Sequence, residues 1–265
     1  MIFHSTFEYS YLLLPIIGFI IGFFGSMIGG GGGFFFIPIL TLMFKVPAQA
    51  AVATSLAATL PICIVGSLGH YRKGNLDFRT GSIFALAGII GAVSGTGITS
   101  CLSSKQLKTS FGIYSLLIAL YMTISTWRKT GDDPTGEKLH NDSKRTRIAK
   151  GSFFGLLSGV IAGTFGTSGA APILAGLLAI RMPIKLVVGT SLMVVLVNTI
   201  FAVGAHFLIG KIDLTLVYFL TAGSILGALA GSKLLAQTKI EHMGNSIRYL
   251  YALVMLVLGL LMIIK

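Results

Sequence analysis

Two stretches of this chain place backbone N–H groups and hydroxyls in a pattern suited to holding an anion. The first is Gly29-Gly30-Gly31-Gly32-Gly33, inside a run without charge from residue 9 to residue 44. The second is Gly166-Thr167-Ser168-Gly169. Each precedes a short apolar segment that contains a proline, Pro38 or Pro172. A glycine-rich turn ahead of a helix presents amide hydrogens and the positive end of the helix dipole to negative charge. Thr167 and Ser168 add hydroxyl donors. Five glycines in a helix interior would each cost about 1 kcal/mol relative to Ala, so the first stretch reads as a loop. The competing reading is close helix packing of the small-xxx-small kind. That reading fits Gly18/Gly22, Gly91/Gly95, Gly151/Gly155/Gly159/Gly163 and Gly227/Gly231.

Further candidates to line the same site are Thr54, Ser55, Thr190, Ser191 and Asn198. Ser191 and Asn198 are seven residues apart and share a helix face. Hydroxyls in apolar helices also bond their own backbone carbonyls, whereas a buried amide needs several partners. His70 and His206 end two apolar segments and read as interfacial residues, or as a candidate proton relay. Asp77 and Asp213 stand just before the next segments, where N-capping accounts for them. No Asp or Glu falls within a predicted span, which disfavours a carboxylate-driven antiporter. HExxH, GxSxG and clustered His/Asp ligands are missing, and Cys63 and Cys101 form no CxxC pair. No enzyme, metal site, cofactor or disulfide framework is expected.

The elements that must position these residues are membrane helices. The chain is 54% hydrophobic and 11% charged, with a mean hydropathy of +0.88. Soluble domains carry about 25% charged residues. Continuous apolar runs fit spans of a hydrocarbon core about 30 Å thick, and their lack of alternation disfavours a β-barrel. The net charge of +12 fits cytoplasmic loops rich in Lys and Arg. No basic helix with interleaved aromatics points to nucleic acid. The first Lys is Lys45, so the opening apolar run is expected to remain in the fold rather than act as a signal peptide.

Predicted segments cover residues 11–28, 34–44, 48–69 with a kink at Pro61, 78–101 and 107–127. A polar linker follows at 128–150, and the pattern then returns. Thr54-Ser55-Leu56 matches Thr190-Ser191-Leu192, His70 matches His206, and Asp77 matches Asp213, all 136 apart. Gly29 matches Gly163, Gly32 matches Gly166 and Pro38 matches Pro172, all 134 apart. The protein is a tandem duplication: a first repeat at 1–130, a cytoplasmic linker at 131–147 and a second repeat at 148–265. Later segments are expected at 184–207, 214–235 and 247–264, after a short one that follows Pro172.

Charge sets the orientation. With segment 2 returning as a hairpin, full or re-entrant, 15 Lys and Arg lie on the linker side and 5 opposite. With segment 2 as a dead-end dip, the ratio is 12 to 8. The positive-inside rule favours the first arrangement. The expected fold class is an all-α polytopic membrane protein with two inverted-topology repeats of about five helical segments each, with short broken helices after glycine-rich loops. Both termini are expected outside. In such folds the substrate sits near the midplane, where broken helices meet.

Several motifs resemble the sulfite exporter TauE/SafE family, also called the toluene sulfonate uptake permease family. They are the glycine loop ending in Pro38, Val46-Pro47 leading to 50–56, and Gly69-His70-Tyr71-Arg72-Lys73-Gly74-Asn75-Leu76-Asp77. Met182-Pro183, Gly189-Thr190-Ser191-Leu192 and Gly210-Lys211-Ile212-Asp213 match in the second half. The resemblance implies a multi-pass permease of the prokaryotic plasma membrane that moves a small sulfur-containing anion, sulfite or an organosulfonate. In that family the second loop is usually richer in glycine, whereas Thr167, Ser168, Ala170 and Ala171 stand here. A small-anion channel or a non-transporting scaffold are the alternatives. The oligomeric state stays open.

Overall fold

A computed structural model describes residues 2–5, 8–128, 144–209, 212–237 and 245–264. Its helices are α1 (Leu14–Ile28, led by a 3-10 turn at Tyr9–Leu13), α2 (Gly33–Pro38, continued by a π-helical turn at Ile39–Met43) and α3 (Ala48–Tyr71). They continue with α4 (Phe78–Cys101), α5 (Ser104–Arg128), α6 (Lys144–Phe165), α7 (Ala170–Ala179), α8 (Ile184–Ile209), α9 (Leu214–Gln237) and α10 (Asn245–Ile264). Among the described residues, seven helices are long and apolar enough to span a bilayer. This is a polytopic α-helical membrane protein. One parallel pairing of two residues each, β1 (Ile2–Phe3) with β2 (Ile212–Asp213), qualifies the all-α expectation.

Segment boundaries agree closely with the sequence pattern, and α3 runs unbroken through Pro61. One boundary differs. Helix α6 begins at Lys144, so it takes in the last residues of the stretch read as linker. Its first turns carry Arg145, Arg147 and Lys150, which concealed the helix from a reading based on hydropathy. Residues 129–143, Gly210 and Lys211 lie outside the described residues.

Helices α1–α4 and α6–α9 form one compact unit, residues 1–102 and 142–237. Lipid tails supply no hydrophobic drive between apolar helices, so packing quality decides which faces meet. Glycine supplies that packing here. A Cβ on Gly159 would lie 2.7 Å from the Ala92 nitrogen, and one on Gly91 would lie 2.8 Å from the Val160 nitrogen, so α6 and α4 touch backbone to backbone. Gly223 and Gly227 of α9 meet Pro15, Phe19 and Phe23 of α1 in the same way. The small-residue stripes named above are therefore packing seams.

The same contacts give directions. Numbers rise together along α1 and α9, and along α6 and α4. Helix α3 runs with α9, since Thr54 meets Asp213 and Lys73 Nζ donates to the Ser232 carbonyl at 2.8 Å. Against α8 it runs the other way: Cys63 and Val195 both flank Gly31, Gly66 meets Leu192, and His70 meets Gly189. The Tyr11 and Phe44 rings meet at a tilt of 54° with centroids 5.7 Å apart, so α2 returns the chain to the end where α1 began.

Helices α5 and α10 form a second unit. Gly112 meets Gly259, and Ser115 Oγ donates to the Met255 carbonyl at 2.7 Å, which makes this pair antiparallel.

Candidate functional site

The two glycine loops come together beside the middle turns of α3. Gly29 caps α1 in the left-handed region (φ 81°), and Gly31 (φ 64°) and Gly32 (φ 77°) share that conformation. The amides of Gly30 and Gly31 both turn back to the Gly25 carbonyl, at 2.9 and 3.2 Å. Gly33 has ordinary φ but no room: a Cβ there would stand 2.7 Å from Thr59 Oγ1 and 3.1 Å from the Ser168 nitrogen. Gly30 alone needs glycine for neither reason, since its nearest neighbour would be the Ala170 Cβ at 3.7 Å. In the second loop only Gly166 (φ 64°) and Gly169 (φ 60°) are left-handed. Thr167 and Ser168 occupy the positions between them, where backbone geometry permits a side chain. That accounts for the departure from a glycine-rich pattern.

Hydroxyls from α3 and α8 fasten the two loops to each other and to these helices. Ser55 Oγ lies 2.9 Å from the Gly33 carbonyl and 3.0 Å from that of Gly166, so one hydroxyl bridges both loops. Ser191 Oγ lies 2.8 Å from the Gly29 carbonyl and 2.9 Å from its own Val188 carbonyl. Thr54 Oγ1 accepts from the Asp213 amide at 3.1 Å, and Thr190 Oγ1 accepts from the Asp77 amide at 3.0 Å. These two threonines thus hold helix starts rather than line an opening. Both aspartates are N-caps: Asp77 accepts from the Thr80 amide and Asp213 from the Thr215 amide.

Asn198 is fully buried on α8 and lies flat on Gly88 of α4. Its Nδ2 donates to Ser158 Oγ at 3.2 Å, and its Oδ1 has no hydrogen-bond partner. Ser158 in turn abuts Gly169. Ser191 and Asn198 therefore serve different loops despite sharing a helix face: Ser191 reaches the first and Asn198, through Ser158, the second. Thr167 Oγ1 accepts from the Gly169 amide at 3.4 Å, and Ser168 is buried.

His70 and His206 are each only 2% exposed. That corrects the interfacial reading: both rings are enclosed by protein where α3 and α8 end among the packed helices. His206 Nε2 meets the Gly163 carbonyl at 2.8 Å, while neither nitrogen of His70 makes a bond of that geometry and its ring meets the Ser26 backbone.

Sequence reasoning missed Ser158, Thr59 and Thr99. Thr59 stands one turn beyond Ser55 on the same face and was within reach of the helical period. Ser158 and Thr99, which meets the Gly163 carbonyl at 3.0 Å, act through tertiary contacts that no spacing announces. Among the described residues no cluster of His, Cys, Asp and Glu is arranged to hold a metal.

Comparison with known proteins agrees with this architecture. Similar chains include the "Probable membrane transporter protein YdhB" of Bacillus subtilis, 29% identical, with 84% of this chain and 87% of the relative aligned. YunE of the same organism, also named a probable membrane transporter protein, is 24% identical over 94% of this chain and 96% of its own length. The archaeal MJ0441 of Methanocaldococcus jannaschii, with the same description, is 28% identical over 76% and 74%. No solved structure matches. The sulfite exporter TauE/SafE family profile matches residues 14–262, nearly the whole chain, and this protein belongs to that family.

Proposed function

We propose that the protein is a secondary carrier, acting as an exporter, for a small oxyanion such as sulfite or an organosulfonate. The binding site in this reading is the junction of the two glycine loops. Gly29, Gly30, Gly31, Gly32, Gly33, Gly166 and Gly169 supply backbone, Thr167 and Ser168 supply hydroxyl donors, and Ser55, Ser191 and Asn198 position them. The observation that carries the reading is the contact of the Gly33 start of α2 with Ser168, just ahead of α7. Amides of a first helical turn have no partner within their helix. At α7 these are Ala170, which lies beside Gly30, and Ala171. The buried carboxylate among the described residues, Asp213, caps the start of α9 and accepts from the Thr215 amide.

Movement of one half against the other would expose the site alternately. Corresponding helices support an inverted repeat, because α3 runs antiparallel to α8, and α5 to α10. Charge supports a linker-side cytoplasmic face in the plasma membrane. Arg72, Lys73, Arg79, Arg145, Arg147, Lys150, Arg181, Lys185 and Lys233 gather where α3 ends and α4, α6 and α8 begin. Lys45 sits at the opposite end, at the start of α3.

Thermal unfolding of the purified protein with sulfite, thiosulfate, alkyl sulfonates and acetate tests the site. Ligand at about 100 times its Kd stabilises by about 2.7 kcal/mol, so at least one sulfur oxyanion should raise Tm measurably while acetate does not. Equal Tm in all four would count against the junction as an anion site.

A further inference from the structure

The duplication lets the chain be compared with itself. Thr54 with Asp213 and Thr190 with Asp77 are counterparts, and their bonds match at 3.1 and 3.0 Å. The histidines do not match. His206 Nε2 donates to the Gly163 carbonyl at 2.8 Å, which places the ring proton on Nε2. His70, its counterpart, makes no bond of that geometry, and its ring meets the Ser26 backbone instead. The counterpart of Gly163 is Gly29, close to one helical turn beyond Ser26. Its carbonyl accepts from Ser191 Oγ at 2.8 Å rather than from a histidine. Ser55, the counterpart of Ser191, bonds Gly33 and Gly166 instead and leaves Gly163 to His206 and Thr99. One structure therefore holds the same set of groups, a histidine, a glycine carbonyl and a serine, in two different pairings.

We propose that His70 and His206 form a reciprocal latch whose pairing exchanges between the two access states. In the opposite state His70 Nε2 donates to the Gly29 carbonyl, Ser191 gives that carbonyl up, and His206 releases Gly163. The inference rests on the inverted-repeat carrier reading, in which the halves trade conformations as access alternates. The matched Thr–Asp bonds are the fixed points of that exchange. A buried imidazole without a partner is unfavourable. With one histidine well bonded and the other held only by a poorer backbone contact in each state, that penalty is the same on both sides. The two states then stay close in energy, as repeated turnover requires.

Ring-15N-labelled histidine NMR of the full chain in lipid nanodiscs tests the latch, with signals assigned by His→Gln at each histidine. In the wild-type protein His206 should show a strongly hydrogen-bonded Nε2–H and His70 a weaker one. His206→Ala should raise the hydrogen-bonded fraction of His70 at least tenfold, whereas His206→Gln, which keeps a donor to Gly163, should not. Ser191→Ala frees the Gly29 carbonyl and should shift His70 the same way, which covers a His206→Ala protein that does not fold. An unchanged His70 signal in the folded variants overturns the latch. Labelled sulfite flux on the same preparations separates the two readings. Flux without the reciprocal shift removes the latch and keeps the carrier, and the shift without sulfite flux keeps the latch and removes the substrate assignment.

Discussion

Asn198 is a side chain that stability alone would not retain. Its repeat counterpart is Ile62, also fully buried, so an apolar side chain suits the equivalent place. An unpartnered buried Oδ1 costs about 1–3 kcal/mol. Asn198→Leu should therefore leave Tm unchanged or raised while lowering anion affinity at least tenfold. Thermal unfolding and ligand titration on one preparation check both parts, and a large loss of stability with affinity intact would make Asn198 a purely structural residue. The glycine loop offers a sharper pair. Gly30→Ala should fold normally, because its Cβ would meet only Ala170 at 3.7 Å. Gly32→Ala should lose folded protein, since φ is 77° and a Cβ would press on Ile21 Cγ2 at 2.5 Å. Size-exclusion yield in detergent separates them. From sequence the five glycines were one feature. Only backbone angles tell which three need a left-handed conformation, which one needs space and which one needs neither.

At the scale of helices, the seams are made of glycine and the tethers of hydroxyls. Interhelical hydrogen bonds within membranes average about 0.6 kcal/mol, so no single tether holds the fold. The seams matter more. Gly159→Leu should split α6 from α4 and abolish folded protein, because the Gly88 and Ala92 backbone stands where the side chain would go. Gly97→Ala should be neutral or stabilising by up to about 1 kcal/mol, since nothing lies within 4 Å of its Cβ and Ala is the better helix former. Equal effects of the two would contradict the packing account. Segment positions were readable from hydropathy because a bilayer demands long apolar runs. The start of α6 was not, because its first turn is basic, and the histidines were misjudged because hydropathy reports that a helix ends but not what encloses the end. Pairings such as Asn198 with Ser158 were illegible, since they join helices 40 residues apart with no shared period.

At the scale of the whole chain, the proposed inverted repeat matches two observations: α3 opposes α8, and basic residues crowd one end of the first unit. The proposed topology places the C-terminus outside. A C-terminal alkaline phosphatase fusion should be active and a C-terminal green fluorescent protein dark, and the reverse would contradict the orientation. The offset of 136 was visible in the sequence because His70, Asp77 and Thr54 recur with their neighbours. Which member of each pair bonds which partner was not, because two copies of one motif can adopt two conformations.

The central claim is carriage of a small oxyanion by alternating exposure of one site, and counterflow tests it most directly. Proteoliposomes loaded with unlabelled sulfite are diluted into labelled sulfite. The carrier account predicts transient accumulation of label above equilibrium, with a rate that saturates as sulfite rises. Entry that never overshoots and grows linearly with concentration, or no entry above protein-free vesicles, would contradict it.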